Sequence, residues 1–250
     1  MAPAGYGNRV EGLHPVMAAA VAGRVLRLWV EERRLVRPEV RSIVDSVGQG
    51  LVTKVADVRA MAETESPQGV VADCTPIIPT AIDDLTGPKA AIVVLDHIED
   101  PHNVGAIARS ALAAGMTGMV VSSNRAAPLS AAAFKAAAGA LETIPVAVVG
   151  SIPEALNRLK QRGTWIVGLE ADSATSLFGL DILTEPVAVA IGAEGGGLSV
   201  LATKRCDVLA SIPMAPDTES LNASVSAALA CFEVWRVRHL GPTTGPLPTI

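Results

Sequence analysis

The sequence predicts an α/β protein with a mainly parallel sheet, and two observations carry that prediction. After residue 89, short apolar runs typical of buried strands, such as AAIVVL and AVAIGAE, alternate with longer helical patterns. Strands that alternate with helices favour a parallel sheet covered on both faces. Half of the 250 residues are hydrophobic, which is enough to bury a substantial core.

A smaller α/β region precedes this pattern. Between residue 6 and about residue 73, the stretches VMAAAVAGRV and RPEVRSIVDSVG are typical of helices, and RLWVEE, LVTKVA and SPQGVVAD of strands. The following stretch, CTPIIPTAIDDLTGP, contains three prolines and is typical of a linker. We therefore expect a small domain over 1–75, a linker over 76–88, a larger domain over 89–240 and a disordered tail over 241–250.

In the larger domain the pattern predicts each element in turn. The strand AAIVVL is followed by a helix, VGAIARSALAA, with Asn103 as its predicted cap and Gly115 at its end. The remaining predicted elements, in chain order, are the strand GMVVSS, the helix LSAAAFKAAAGA, the strand IPVAVVG, a helix from Ile152 to Gln161, the strands TWIVGLE and AVAIGAE, a short helix after Gly197, the strand VLASIPM and a helix from about Leu221 to Arg238.

Charge and composition narrow the possible partners. The net charge is −5, and because the first 75 residues carry nine cations and nine anions, all of it comes from the rest of the chain. The basic cluster EERRLVRPEVR (31–41) is either a solvated face of mixed charge, which we favour, or a local phosphate contact. Aromatic residues make up only 3% of the chain, which argues against nucleic-acid binding built mainly on stacking.

The chain also lacks the sequence signs of membranes and secretion. No apolar run reaches the roughly 18 residues that a membrane-spanning helix needs, and MAPAGYGNRVEG lacks the order of a signal peptide. The three cysteines, Cys74, Cys206 and Cys231, are widely spaced and form no CxxC motif. We expect a cytoplasmic protein with reduced thiols.

The stretch DHIEDPH (96–102) raises the possibility of a metal site, because it holds three carboxylates and two histidines. Pro101 restricts the backbone so that Asp100 and His102 are expected to point in different directions, which disfavours a shared metal. Phosphate loops of the GxxxxGK[ST] and GxGxxG types are absent, as is the GxSxG of serine hydrolases.

Three segments, taken together, are more specific evidence of function than the DHIEDPH stretch alone. They are LDHIEDPHNVGAIARSALAAG, AVAIGAEGGGLS and SIPMAPDTESLNASVSAALA. They resemble, in order and spacing, the motifs of the SpoU (TrmH) family of RNA ribose 2′-O-methyltransferases. The first motif is matched by Asp100, Pro101, Asn103, Gly105 and Arg109, the second by Gly192, Glu194, Gly197 and Leu198, and the third by Ile212, Pro213, Met214, Glu219, Ser220, Leu221, Asn222 and Ser224. The N-terminal GNRVEGLHPV and PQGVVA resemble the small RNA-binding domain of the two-domain ribosomal RNA members. Ala137, Ala193 and Ala223 depart from residues common in the family.

The resemblance implies a knotted catalytic domain with a deep trefoil, S-adenosylmethionine as cofactor, no metal, and a homodimer packed through the knot. It implies a catalytic set of Asn103, Arg109, Glu194, Ser220 and Asn222. It also implies that the cofactor is held by Leu169, Glu170, Ile191, Gly192, Ile212, Met214 and Leu221. Considered alone, Asn103, Ser220 and Asn222 are equally suited to capping helices, and Glu194 to an exposed loop.

The expected substrate is structured RNA, and the two-domain layout favours 23S ribosomal RNA over transfer RNA. A transfer RNA ribose methyltransferase and an antibiotic-resistance enzyme with the same catalytic domain are the alternatives. A non-catalytic RNA-binding protein that kept the fold is a third, which the complete catalytic set disfavours. The resemblance assigns Arg109 to the ribose hydroxyl, as base or as polarising group. Because a guanidinium stays protonated, we expect it to stabilise the developing alkoxide.

Overall fold

The computed structural model describes residues 5–124, 126–215 and 220–241. Its contacts divide the chain into two compact units. The first consists of the residues up to Pro79 together with Pro101–Arg109 and Pro128–Thr143, and the second of Thr80–Asp100, Ser110–Ala127 and the chain from Ile144 onward.

The first unit contains a four-stranded mixed sheet with helices on one face. In chain order, its elements before Pro79 are β1 (Arg9–Glu11), α1 (Leu13–Val21), β2 (Val25–Glu31), α2 (Pro38–Val47), β3 (Val52–Val55) and β4 (Val70–Cys74). The strand order is β1-β4-β2-β3, in which only β2 and β3 are parallel. Leu28 and Val30 alternate with Trp29 along β2 and are fully buried, as α2 packs against that strand.

The second unit is built on a six-stranded sheet in which every neighbouring pair is parallel, which confirms the predicted class. Its strands are β5 (Ala91–Leu95), β6 (Gly118–Ser122), β7 (Val146–Val149), β8 (Trp165–Leu169), β9 (Val187–Ile191) and β10 (Val208–Ala210). The order is β10-β8-β9-β5-β6-β7, so β5 and β9 lie at the centre. Both are buried along their whole length, as their continuous apolar runs predict.

Helices follow these strands closely. They are α3 (Pro101–Ala113), α4 (Ala131–Ala137), α5 (Ala140–Thr143), α6 (Ile152–Gln161), α7 (Val200–Thr203) and α8 (Ala223–Leu240). The bounds predicted for α6 are confirmed, and Ser151 caps that helix through the N–H of Glu154. In the described ranges, no helix is long and apolar enough to cross a membrane.

Two helix predictions are wrong in detail. Helix α3 begins at Pro101, a favoured first position because proline lacks an N–H to satisfy, so Asn103 lies inside the first turn and is not the cap. The helix predicted over LSAAAFKAAAGA is interrupted, since Ala138 and Gly139 adopt positive φ angles of 50° and 97° between α4 and α5.

The stretch predicted as a linker is ordered. Ile77 forms an isolated antiparallel bridge with Tyr6 in the first unit. Ile82–Leu85 forms a 3-10 helix in the second unit, where Ile82 and Leu85 join the hydrophobic core. The residues 242–250 of the predicted disordered tail lie outside the described residues.

Candidate active site

A cavity of about 470 Å³ opens at the carboxyl ends of β8, β9 and β10 in the second unit. This edge of a parallel sheet is where α/β proteins usually bind their ligands. All seven residues predicted to hold the cofactor line this cavity: Leu169, Glu170, Ile191, Gly192, Ile212, Met214 and Leu221. Glu194 and Ser220 of the predicted catalytic set line it too.

The loop after β9 forms one wall of the cavity and depends on its glycines. Ala193 and Gly197 exchange two backbone hydrogen bonds of 3.0 and 2.9 Å, which closes a tight turn. A Cβ atom on Gly192 would lie 1.9 Å from the carbonyl carbon of Gly197, so no side chain fits there. The turn is therefore held by its own backbone, and its residues from Gly192 to Gly197 line the cavity.

Both ends of this loop are held by Asp96, the residue after β5. The backbone N–H of Asp96 donates to the carbonyl of Ile191 at 2.8 Å, and its Oδ2 accepts the backbone N–H of Ser199 at 2.8 Å. Its Oδ1 lies 2.7 Å from His97 Nδ1, and the whole residue is buried. Asp96 is thus a structural carboxylate satisfied by backbone and imidazole groups.

Glu194, at the tip of the loop, contacts the start of α8. Its Oε1 accepts hydrogen bonds from Asn222 Nδ2 at 2.5 Å and from the backbone N–H of Ala223 at 3.3 Å. Asn222 is the N-cap of α8, since its Oδ1 accepts the N–H groups of Ser224 and Val225. The capping role considered for Asn222 is therefore confirmed, and the cap also joins this helix to the glycine-rich loop.

The other two predicted catalytic residues lie on α3. Arg109 is exposed and Asn103 is half-buried. Because both lie within the helix, six residues apart, their side chains leave the axis about 120° apart and are separated by roughly 9 Å along it. Gly105 has a packing role, since a Cβ there would lie 2.3 Å from the carbonyl oxygen of Ala133 in α4.

The histidines and carboxylates of DHIEDPH do not gather into a metal-binding group. Asp96 and His97 contact each other, whereas Pro101 starts a helix that carries His102 away from the strand end. Across the ranges that the structure describes, no three His, Cys, Asp or Glu side chains are placed to hold an ion.

The cysteines are free thiols, and two of the three are buried. Burial raises the pKa of Cys74 to about 11 and that of Cys231 to about 12. Burial is also the main cause that raises the pKa of the half-buried Cys206 to about 11. Thiols with such pKa values stay protonated at neutral pH and are poor nucleophiles and poor metal ligands.

Fold and site together define a class: a parallel-sheet α/β protein that binds a small molecule against a glycine-rich loop at the carboxyl edge of its strands. Comparison with known proteins gives the family. Residues 90–232 match the SpoU rRNA Methylase family, so more than half of the chain is covered. The chain belongs to the SpoU rRNA methylase family, and the predicted family is confirmed.

Two relatives illustrate the similarity. One is the 23S rRNA (guanosine-2′-O-)-methyltransferase RlmB of Xylella fastidiosa, 36% identical over 233 residues, which are 90% of this chain and 88% of that protein. The other is an uncharacterized tRNA/rRNA methyltransferase of Synechocystis, 39% identical over 242 residues. That alignment covers 91% of this chain and only 62% of the relative, so this chain spans less than two thirds of the Synechocystis protein.

Among solved structures, the SpoU methyltransferase AviRb from Streptomyces viridochromogenes, in complex with the cofactor AdoMet (S-adenosylmethionine), superimposes with a TM-score of 0.79. It is 27% identical, and the match covers 92% of this chain and 89% of that one.

Sequence reasoning missed three features of the site: the Asp96 clamp, the packing role of Gly105 and the bond between Glu194 and Asn222. For the Asp96 clamp, the available signal in the sequence was a carboxylate directly after a buried strand. The departures at Ala193 and Ala223 are compatible with the site, since both residues act through backbone atoms. Glu219 of the third motif lies outside the described residues.

Proposed function

We propose that this protein transfers a methyl group from S-adenosylmethionine to a ribose 2′-hydroxyl of structured RNA, with 23S ribosomal RNA as the substrate. The observation that carries the proposal is the cavity beside the glycine-rich loop, which all seven residues expected to hold the cofactor line. The relative from Xylella fastidiosa, described as a 23S rRNA (guanosine-2′-O-)-methyltransferase, supports the choice of RNA.

The cavity suits S-adenosylmethionine in both shape and chemistry. The residues from Gly192 to Gly197 line the cavity, so this wall offers a polar ligand mostly backbone groups and few large side chains. Ile212, Met214 and Leu221 add apolar surface on which a purine can rest. When bound, the cofactor supplies a methyl group on a sulfonium, which is reactive without a metal.

The chain's own part in the reaction is to position the ribose and stabilise charge. We assign Arg109 to the 2′-hydroxyl, where its guanidinium stabilises the negative charge that develops as the oxygen attacks the methyl carbon, with the thioether of the cofactor as leaving group and water as the acceptor of the proton. Asn103, on the same helix, is assigned to orienting the ribose, with Ser220 as a further hydroxyl at the cavity wall.

Glu194 and Asn222 are assigned a joint role. Their 2.5 Å hydrogen bond fixes the tip of the loop to the first turn of α8. The negative charge of Glu194 lies at the N-terminus of that helix, where the helix dipole stabilises it. The pair therefore keeps the loop in one conformation while substrate binds and product leaves.

We further propose that the catalytic domain contains a trefoil knot. Support comes from the sheet order, in which β9 is inserted between β5 and β8, and β10 forms the edge beyond β8. From that edge the chain returns to α8, which contacts both central strands, β5 and β9. A C-terminal segment that crosses back over the sheet in this way is compatible with a knot.

The protein is proposed to act as a homodimer through α8. Four side chains on one face of this helix are substantially exposed although they are apolar: Val225, Leu229, Phe232 and Trp235. Their exposed fractions, between 37% and 48%, are unusual for an apolar stripe on a monomer's helix. A second copy of the same helix is the occupant that we assign to this face.

The first 75 residues are proposed to bind the RNA substrate, and the cytoplasm is the proposed location. Mapping 2′-O-methylation across total cellular RNA, with and without this protein, tests the function. Loss of one ribose methyl group in 23S rRNA supports it. Loss in transfer RNA would support the alternative substrate, and unchanged methylation would favour a non-catalytic RNA-binding protein.

A further inference from the structure

The sheet of the first unit has one face that the helices leave open, and this face carries an aromatic ring with two arginines. Residues directly opposite on paired strands share a face. Trp29 on β2 is opposite Val71 on β4 and Thr53 on β3, so these three lie on the side away from the helices, where Val71 is buried, Trp29 half-buried and Thr53 exposed. Leu28 and Val30, which alternate with Trp29, are buried on the helix side.

A second row crosses the same face beside the first. Asp73 on β4 is opposite Arg9 on one side and Arg27 on the other. The guanidinium carbons of Arg9 and Arg27 lie 5.4 and 5.5 Å from the centre of the Trp29 ring, which is within the range of cation–π contact. An aromatic ring and two cations are therefore brought to one place on the sheet.

The two arginines differ in their remaining contacts. Arg9 is held in place, because its Nε donates to Asp73 at 2.6 Å and its Nη1 donates to the carbonyl of Met61. Arg27 is exposed, and among the described residues no carboxylate forms an ion pair with it. The Arg9–Asp73 pair is neutral, so Arg27 supplies the one guanidinium of this row that no carboxylate of the described residues pairs with.

The two neighbouring carboxylates make their hydrogen bonds and ion pairs to groups other than Arg27. Glu11, on β1, is fully buried and accepts the backbone N–H groups of Glu63 and Thr64. Glu31, at the end of β2, is 4% exposed and pairs with Arg33 and Arg34. Both are occupied, and the open part of the face is left to Trp29, Arg27, Arg9 and the exposed hydroxyl of Thr53.

We propose that this face binds an unpaired nucleotide of the RNA substrate, with its base stacked against Trp29 and its phosphate bound by Arg27. A base can stack on an aromatic ring or on the plane of an arginine guanidinium, and arginine binds phosphate through paired donors. The low aromatic content of the chain fits a single stacking position rather than an extended groove. The proposal rests on the proposed RNA substrate and names the surface that binds it.

Tryptophan fluorescence tests this directly. Wild-type protein and Trp29→Phe are titrated with a deproteinised 23S rRNA transcript and with a 12-nucleotide single-stranded RNA and its duplex form. We expect quenching by the transcript and the single strand that is reduced in Trp29→Phe. Trp165→Phe is the matched control, since Trp165 is also exposed but lies at the start of β8, away from the cavity.

Binding and turnover are then measured on Trp29→Ala and Arg27→Ala. Because stacking is worth roughly 1–3 kcal/mol per base, we expect about a tenfold or greater rise in the dissociation constant for the transcript with Trp29→Ala. With Arg27→Ala we expect a weaker salt dependence of binding. Both variants should raise KM for RNA and leave kcat unchanged. Arg205→Ala, which removes an exposed arginine in the second unit, should alter none of these.

The outcomes separate this inference from the proposed function. If wild-type protein transfers methyl groups to RNA but Trp29→Ala keeps the wild-type KM, dissociation constant and quenching, the nucleotide platform is wrong and the function stands. If wild-type protein binds RNA and Trp29 is quenched but no methyl transfer occurs, the platform stands and the function is wrong. Quenching by ribosomal proteins and not by RNA would show that the face binds protein, which also overturns the inference.

Discussion

The carboxylate of Asp96 accepts the backbone N–H of Ser199 at 2.8 Å, from a position where it is fully shielded from solvent. The backbone N–H of Asp96 also donates to the carbonyl of Ile191, so a single residue holds both ends of the loop that forms the cavity wall. The clamp links the end of the central strand β5 to the loop whose tip carries Glu194.

Replacing this carboxylate tests the clamp. In Asp96→Asn the side chain loses its charge and one acceptor oxygen, so it keeps the Ser199 bond only where its NH2 group faces His97 and Nδ1 of that ring turns from donor to acceptor. We expect the free energy of unfolding to fall by about 1–3 kcal/mol. We also expect S-adenosylmethionine to bind more weakly, because the loop is then held at one end only. Urea unfolding and titration calorimetry measure the two effects.

Asp84→Asn is the control for that variant, since Asp84 is an exposed carboxylate outside the site. If Asp96 matters only for stability, Asp96→Asn should lower the urea midpoint of unfolding and leave the affinity for S-adenosylmethionine at 25 °C unchanged. That result would contradict the link between Asp96 and the loop.

The glycine-rich loop offers a pair of matched substitutions. In Gly192→Ala the new Cβ would lie 1.9 Å from the backbone of Gly197, so the turn must open. In Gly196→Ala the new Cβ meets nothing within 4 Å, and the backbone there needs no positive φ angle. We expect the first variant to lose cofactor binding and the second to retain it, as measured by calorimetry. Equal affinity in both variants would mean that the cofactor does not depend on this turn.

Arg109 tests the chemistry of the transfer. If its guanidinium stabilises a developing alkoxide, Arg109→Ala should lower kcat by about 10²–10³-fold, the loss typical of one oxyanion donor, and leave the affinity for S-adenosylmethionine unchanged. Arg109→Lys should recover part of kcat, because it keeps a positive charge near the hydroxyl.

The pH dependence of these variants separates the two roles of Arg109. If Arg109 stabilises the alkoxide, Arg109→Lys should leave the shape of the profile of kcat against pH unchanged. A true base would be replaced by a lysine of lower pKa, and the profile would then shift towards lower pH. Turnover by Arg109→Ala at the wild-type rate would remove the residue from the catalytic set.

The apolar face of α8 predicts the oligomeric state. Placing a charge in its centre with Phe232→Glu should convert a dimer into a monomer in light scattering, because a buried carboxylate would be left without a partner. Val21→Glu, on an exposed helical position that is 78% accessible, serves as the control. A wild-type monomer, or a Phe232→Glu dimer of unchanged affinity, would contradict the proposed interface.

Much of the fold follows from the sequence because the strands of the second unit are continuous apolar runs bounded by turn residues. Helix α6 could be predicted to the residue, because a capping residue, Ser151, and a proline mark its start. The break at Ala138 could not be predicted, because an alanine with positive φ is set by tertiary contacts and not by local preference. The start of α3 at Pro101 was misjudged because Asn103 is itself a good capping residue.

The site was predicted unevenly for a physical reason. The residues that line the cavity were predicted from the family resemblance, and the apolar pattern alone locates the strand ends that most of them follow. The relationships that hold the site together, such as Asp96 with Ser199, join residues 103 positions apart, and only the folded sheet brings them into contact. Likewise, nothing in the sequence near Trp29 indicates that Arg9 and Arg27 lie on opposite sides of the same strand, β4.

The most direct test of the proposed function is to incubate the protein with methyl-labelled S-adenosylmethionine and a deproteinised 23S rRNA transcript, digest the RNA to nucleosides and identify the labelled product by mass spectrometry. The expected result is one nucleoside labelled on its ribose, with labelling about 10²–10³-fold slower when Arg109→Ala replaces the wild-type protein. A label on a base, or no label from a protein that binds both cofactor and RNA, would contradict ribose 2′-O-methyl transfer.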